Sequence, residues 1–163
     1  MFEPEILELP ELHLLGLRVA GKPKDLGKLV PKGWRDLQSR LSQIEGVKDS
    51  SRQIGFLLPN DHILPLGRIA TYISVEVSPE TPEPKGLKRH DLPASRYAVF
   101  TYRGSFLAPE FAGFYPGIFK ALQESGLEFD GARGWIEMYD DASHNWEDKA
   151  DPKNELRVAF PLK

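Results

Sequence analysis

The chain of 163 residues contains no cysteine, and that absence excludes several kinds of site at once. Without a thiol there is no disulfide, no cysteine nucleophile and no cysteine-ligated zinc or iron–sulfur centre. Because disulfides are rare in the reducing interior of a cell, their absence fits a cytoplasmic protein. We therefore expect a soluble cytoplasmic domain.

Long apolar runs and an excess of positive charge are also missing. No hydrophobic stretch approaches the roughly 20 residues that a membrane-spanning helix needs. The acidic start, Met1-Phe2-Glu3-Pro4-Glu5, lacks the basic and then apolar layout of a signal peptide. A formal net charge of -3 argues against a phosphate-binding surface. We therefore expect no membrane association and no direct nucleic-acid binding.

The residue spacings that mark common metal and cofactor sites are missing as well. The Gly-Lys pairs at 21–22 and 27–28 do not form a phosphate-binding loop. The polar loop at 140–148 lacks the spaced glycine and the final glutamate of an EF-hand. Histidines occur without metal-ligand spacing at His13, His62, His90 and His144. The sequence therefore predicts no metal and no cofactor.

Strand-like and helix-like patterns are present, and their order occurs twice. Residues 5–21 read as extended structure with a bend at Pro10. An amphipathic helical pattern follows, and Pro31 within it predicts a kink or a restart of the helix. Two strands, at 52–58 and 68–77, complete the first unit.

The second unit follows a Pro-rich segment, 78–86, whose composition is that of a stiff connector. It consists of two extended stretches, a helix and two strands, at 87–92, 96–103, 107–122, 134–140 and 155–161. The order of elements is therefore the same as in the first unit.

An internal repeat supports this division. Residues 8–21 can be laid over residues 91–104 without a gap, with Leu, Pro and Gly matching. Two strand–helix–strand–strand repeats related by a pseudo-twofold axis predict an α+β fold of SHS2 type. The sheet is expected to be mostly antiparallel, with one helix per repeat and a ligand cleft between the halves. We expect one domain, 1–163, with the repeats at about 5–78 and about 87–163.

The most unusual stretch is Gly134–Asp140. As a strand it places Trp135, Glu137 and Tyr139 on one face and the apolar residues between them on the other. A carboxylate removed from water needs a partner, and a ligand cation held by charge and by ring faces is one candidate. The alternative is a solvated glutamate or one that pairs with a nearby arginine. In the overlay Glu137 stands where the first half has Leu58, so repetition of a core does not explain it.

Other aromatic residues are candidates for a pocket around this carboxylate, and each is alternatively a plain core residue. Tyr97 and Tyr102 have opposite parity on one strand, so a regular strand cannot direct both into the same pocket. Trp146 is unusual in its polar loop and is a candidate lid. The predicted ligand-binding residues are Glu137, Trp135, Tyr139, Tyr72, Tyr97, Tyr102, Phe111, Tyr115 and Trp146.

At these positions the sequence resembles a known family, the GyrI-like effector-binding domains, which also occur fused to DNA-binding regions in AraC-type and MerR-type regulators. The first half matches mainly through its order of elements. Family members usually carry Trp where this chain has Ala121, and often Pro just before the Glu-bearing strand. The matching features cover most of the second half and are Tyr97-Ala98-Val99-Phe100 with Arg103-Gly104, Gln123-Glu124-Ser125-Gly126, Trp135-Ile136-Glu137-Met138-Tyr139 and Glu155-Leu156-Arg157-Val158.

The resemblance implies an aromatic pocket between the halves with Glu137 at its base. In multidrug-sensing relatives this acid pairs with lipophilic cations. Because no helix-turn-helix segment is recognisable, the resemblance predicts a free-standing domain that binds or sequesters hydrophobic, often cationic small molecules.

The same resemblance leaves two alternatives open. One is a hydrolase that opens cyclopropane-bearing compounds, with Glu137 as base and Tyr139, Tyr97 or Tyr102 as proton donor. The other is a protein that interacts with DNA gyrase. A second copy of this chain also stays open as a partner.

Overall fold

The computed structural model describes residues 2–58, 65–140 and 148–163, without the side chain of Asp140. Within this part of the chain the strands form one eight-stranded sheet in which all pairs are antiparallel. The strands are β1 (Glu5–Leu9), β2 (Leu12–Gly21), β3 (Arg52–Leu57), β4 (Ile69–Glu76), β5 (Lys88–Leu92), β6 (Ser95–Arg103), β7 (Trp135–Asp140) and β8 (Glu155–Pro161). The helices are α1 (Pro23–Arg40), α2 (Pro109–Ala112) and α3 (Phe114–Glu124). The predicted α+β class and mostly antiparallel sheet are confirmed.

The order of the strands in the sheet is symmetric with respect to the two halves of the chain. It runs β1-β6-β8-β7-β3-β4-β2-β5, and replacing β1–β4 by β5–β8 and the reverse gives this order backwards. The stretch 5–21 is two strands separated at Pro10, and these strands have different partners. β1 pairs with β6 of the second half, and β5 pairs with β2 of the first. Each half therefore contributes an edge strand to the other.

Both longer helices pack on one face of the sheet. α1 begins at Pro23, where the missing N–H of proline costs no helical hydrogen bond, and it buries Trp34 and Leu37 in a cluster with residues of β2 and β4. α3 buries Phe114 and Ile118 in a second cluster with residues of β6 and β8. No helix in the described ranges is long and apolar enough to cross a membrane. The two helix-side cores leave the central β3–β7 pair between them.

The other face of the sheet carries a third apolar cluster, to which none of the described helices contributes. It includes Tyr72 of β4, Tyr97 of β6 and Ile136 of β7. Tyr72 has an exposed fraction of 8%, although it shares its strand face with Ser74 and Glu76. Because apolar clusters cover both faces of the sheet, both faces of β4 are buried, and its alternation does not identify the face towards the helices.

Candidate ligand cavity

A cavity of about 800 Å³ lies between the two helix-side cores, above the β3–β7 pair. Small-molecule sites in proteins usually measure roughly 300–1,000 Å³ and have mainly apolar walls. The first half contributes residues of α1 and β4, among them Leu26, Val30, Trp34, Ile69 and Ile73. The second half contributes Phe106, Leu107, Phe111, Tyr115 and Phe119. The wall is therefore apolar, and both halves build it.

The floor of the cavity carries the carboxylate of Glu137. Trp135, Glu137 and Tyr139 all line the cavity, as expected for alternate residues of one strand. Gly55 of β3 lies opposite Glu137 in the strand ladder. A Cβ added to Gly55 would come within 3.3 Å of the Glu137 Cβ. The absence of a side chain at Gly55 therefore leaves the space that the Glu137 side chain occupies.

Glu137 is half-buried and lies among tyrosine hydroxyls. The Tyr139 hydroxyl donates a hydrogen bond to Glu137 Oε2, with an O–O distance of 2.9 Å. Burial, and then the negative charge of Glu137, raise the pKa of Tyr139 well above its ordinary value of 10.0. The same two causes, in the same order, raise the pKa of Tyr115. Both hydroxyls therefore keep their protons at neutral pH, and that of Tyr139 donates its proton to the carboxylate.

Aromatic rings form the wall beside this carboxylate. The centroid of the Trp135 ring lies 5.8 Å from the centroid of the Phe119 ring, with an angle of 90° between the two ring planes. It lies 6.0 Å from the centroid of the Phe160 ring. Phe119 in turn lies 6.1 Å from Tyr115. Edge-to-face contacts of this kind are among the arrangements that aromatic pairs prefer. Because ring faces and a carboxylate both attract cations, the arrangement suits a lipophilic cation.

A positive side chain, Lys149, lines the same cavity. Its Nζ donates a hydrogen bond to the carbonyl oxygen of Gly27 in α1, with an N–O distance of 2.6 Å. Lys149 lies in the segment before β8, so this contact joins the second half of the chain to the first helix. Among the described residues of the wall, Glu137 and Lys149 are the two that carry a full charge.

The structure brings only some of the predicted ligand-binding residues together. Tyr72 and Tyr97 belong to the cluster on the opposite face of the sheet. Tyr102, which has the opposite parity to Tyr97, lies in the core beneath α2 and α3, and its hydroxyl donates to the carbonyl oxygen of Ser105 at 2.7 Å. Trp146 lies outside the described residues. The predicted residues that do line the cavity are Glu137, Trp135, Tyr139, Phe111 and Tyr115.

Other wall residues escape the sequence reasoning. The helical stripe places Trp34 in the core, and in the structure it is both buried and part of the wall. Phe119 falls outside the apolar stripe of its helix and is 40% exposed. A large apolar residue on the polar side of a helix is a signal in the sequence that could have identified it as a binding residue. No local pattern marks Lys149 within its polar loop. The position of Lys149 in the wall depends on its contact with Gly27, which is far away in the sequence.

Nearly the whole chain is similar to a transcriptional regulator. BrlR, a transcriptional regulator of Pseudomonas aeruginosa, is 28% identical over 158 residues, which cover 96% of this chain and 54% of BrlR. The chain therefore spans about half the length of that relative.

Other solved structures share the fold. The C-terminal domain of EcmrR has a TM-score of 0.72 at 11% identity, with 100% of this chain and 98% of that chain covered. SAV2435 bound to tetraphenylphosphonium has a TM-score of 0.65 at 14% identity, with 99% and 94% covered. The family described as GyrI-like small molecule binding domain matches residues 2–163. On that match over nearly its whole length, the chain belongs to the GyrI-like small molecule binding domain family.

Proposed function

We propose that the protein binds hydrophobic, often cationic small molecules in the cavity between its halves, with Glu137 as the charge partner. The observation that carries this proposal is a half-buried carboxylate on the floor of an apolar, ring-lined cavity of about 800 Å³. An apolar wall selects for hydrophobicity, and a carboxylate selects for positive charge. Neither requires one ligand shape. Such a cavity suits sensing or sequestration of a range of compounds.

The hydrogen bond between Tyr139 and Glu137 is compatible with the arrival of a cation. The hydroxyl contacts one carboxylate oxygen, Oε2. A carboxylate attracts a cation through its charge, and this attraction does not require a vacant hydrogen-bonding position. A cation can therefore approach while Tyr139 keeps the carboxylate in place, which reduces the cost of ordering the site on binding.

The relatives support the same type of ligand. SAV2435 has been solved with tetraphenylphosphonium, a lipophilic cation with four aromatic rings. We propose that this chain accepts cations of that kind. BrlR is a transcriptional regulator, and this chain covers 54% of its length. We further propose that ligand binding by this chain is linked to transcription.

Calorimetric titration with tetraphenylphosphonium tests this function. We expect Glu137→Gln to weaken binding about tenfold or more, because two opposite unit charges roughly 8 Å apart attract by about 2 kcal/mol at an effective dielectric constant of about 20. The matched control is Glu128→Gln, which removes an exposed carboxylate away from the cavity and should leave affinity unchanged. Equal affinities for the wild type and Glu137→Gln would remove Glu137 from the mechanism. A wild type that binds no lipophilic cation would overturn the proposed function.

A hydrolase is the second candidate, and the Tyr139–Glu137 hydrogen bond is the observation that favours it. The pair places a proton donor beside a base in the cavity wall. The raised pKa of Tyr139, caused first by burial, makes its hydroxyl a weak acid, which favours the binding function. Incubation with a reactive cyclopropane-bearing compound separates the two. Multiple turnovers that Glu137→Gln abolishes would favour the hydrolase, and substoichiometric product would favour the binding protein.

A further inference from the structure

Lys149 is a cavity residue whose charge the proposed function does not use. It is half-buried, and its Nζ contacts the neutral carbonyl oxygen of Gly27 at 2.6 Å. Within the described ranges, no carboxylate lies at ion-pair distance from this ammonium group. An ammonium group has three donors, and one carbonyl oxygen satisfies one of them. An ammonium group that lines an apolar cavity can form charge-assisted hydrogen bonds with an anionic ligand.

The proline in α1 explains why the Gly27 carbonyl receives the ammonium group. In a regular helix this oxygen would accept the N–H of residue 31, and Pro31 has none. Gly27 also provides space, because a Cβ there would lie 3.2 Å from Lys149 Nζ. Pro31 leaves the Gly27 carbonyl oxygen without its helical donor, and Gly27 leaves space for a positively charged group to approach that oxygen at the wall of the cavity.

The backbone of Lys149 is also fixed. Its carbonyl oxygen accepts hydrogen bonds from the Phe106 N–H at 2.7 Å, Ser105 Oγ at 3.3 Å and Asn154 Nδ2 at 3.4 Å. Phe106 is itself part of the cavity wall, and Asn154 is 1% exposed. These contacts hold the segment against the core. The backbone from which the Lys149 side chain enters the cavity wall therefore has a defined position.

We propose that the cavity takes lipophilic cations that also carry an acidic group, with the cation at Glu137 and the acid at Lys149. This inference rests on the proposed function and specifies its ligand class as amphiphilic zwitterions. The alternative is that Lys149 serves only to tie its segment to α1. In that case its charge would not distinguish one bound cation from another.

Two matched probes separate these roles. One is a triphenylphosphonium cation with a carboxybutyl chain, and the other is its methyl ester, which has the same cation but no acid. We expect the wild type to bind the acid about tenfold more tightly than the ester in calorimetric titrations. Lys149→Gln keeps a hydrogen-bond donor but removes the charge, so the ratio of its affinities for the acid and the ester should fall to about one. Lys149→Arg keeps the charge and should keep the preference.

The control is Lys153→Gln, which removes an exposed lysine that does not line the cavity. It should behave as the wild type. A wild type that binds both probes equally, or a Lys149→Gln variant that weakens both equally, would overturn the inference. If the ester binds in a Glu137-dependent manner without a preference for the acid, the proposed function stands and only this inference fails. If neither probe nor tetraphenylphosphonium binds, the proposed function fails.

Discussion

The residues around Glu137 come partly from its own strand, β7, and partly from α3. Strand alternation is a local rule, and it correctly places Trp135, Glu137 and Tyr139 on one face. Tyr115 reaches the same carboxylate from α3, and no local pattern in the sequence gives the distance between a helix and a strand. The neighbours on the strand could therefore be predicted as a group, whereas Tyr115 could be no more than one candidate among several.

Alkaline titration tests the charge of Glu137 through these tyrosines. Glu137→Gln should lower the pKa of Tyr139 and Tyr115, because the Glu137 charge is the second cause, after burial, of their raised pKa values. Ultraviolet difference spectroscopy should then show two of the five tyrosines ionising at lower pH than in the wild type. Glu128→Gln serves as the control. Identical curves for the wild type and Glu137→Gln would contradict the described environment.

The same shifts have a consequence for stability. A tyrosine whose pKa is raised by folding contributes stability that is fully present below the ordinary pKa of 10.0. This contribution is lost as pH rises through the higher pKa of the folded state. We therefore expect alkaline unfolding of the wild type to begin above about pH 10, where Tyr139 and Tyr115 are forced to ionise.

At the scale of elements, α1 shows where a local rule holds and where it is overridden. The spacing of apolar residues predicts the helix because its buried face packs on the sheet. Pro31 predicts a kink or a restart, and the helix runs as one element from Pro23 to Arg40, so it does not restart at Pro31. The contact of Lys149 with Gly27 supplies a donor to the carbonyl that proline deprives of one. A long-range contact of this kind has no counterpart in the local sequence.

Pro31→Ala tests this account of the helix. Alanine restores the N–H to the Gly27 carbonyl and removes the steric cost of proline inside a helix, and these gains exceed the entropy that proline takes from the unfolded chain. We expect the free energy of unfolding to rise by about 1 kcal/mol in urea titrations followed by circular dichroism. A fall of similar size would show that the proline is favourable in this helix.

The whole molecule is joined by the exchange of edge strands. The sequence predicts two similar units and their order of elements, but it treats residues 5–21 as one extended stretch. The pairing of β1 with β6 and of β5 with β2 joins residues far apart in the chain, which periodicity does not report. The repeat boundaries stay predictions, as do the cytoplasmic location, the absence of nucleic-acid binding and the gyrase interaction. We expect the two halves to unfold together.

Removal of residues 1–10 tests the exchange. It would turn β6 into an unpaired edge and take Leu7 and Leu9 from the cluster on the back of the sheet. We expect a lower urea midpoint for the whole molecule, with tryptophan fluorescence and circular dichroism giving coincident transitions in the full chain. Two separate transitions in the full chain, or an unchanged midpoint after truncation, would contradict the coupling of the halves.

The central claim is that the cavity selects its ligand by charge through Glu137. The most direct measurement compares tetraphenylphosphonium with tetraphenylborate, which has nearly the same shape and the opposite charge, by calorimetric titration of the wild type and Glu137→Gln. We predict that the wild type binds the phosphonium more tightly and that most of this preference disappears in Glu137→Gln. Equal binding of the two ions by the wild type, or a preference that survives in Glu137→Gln, would contradict the claim.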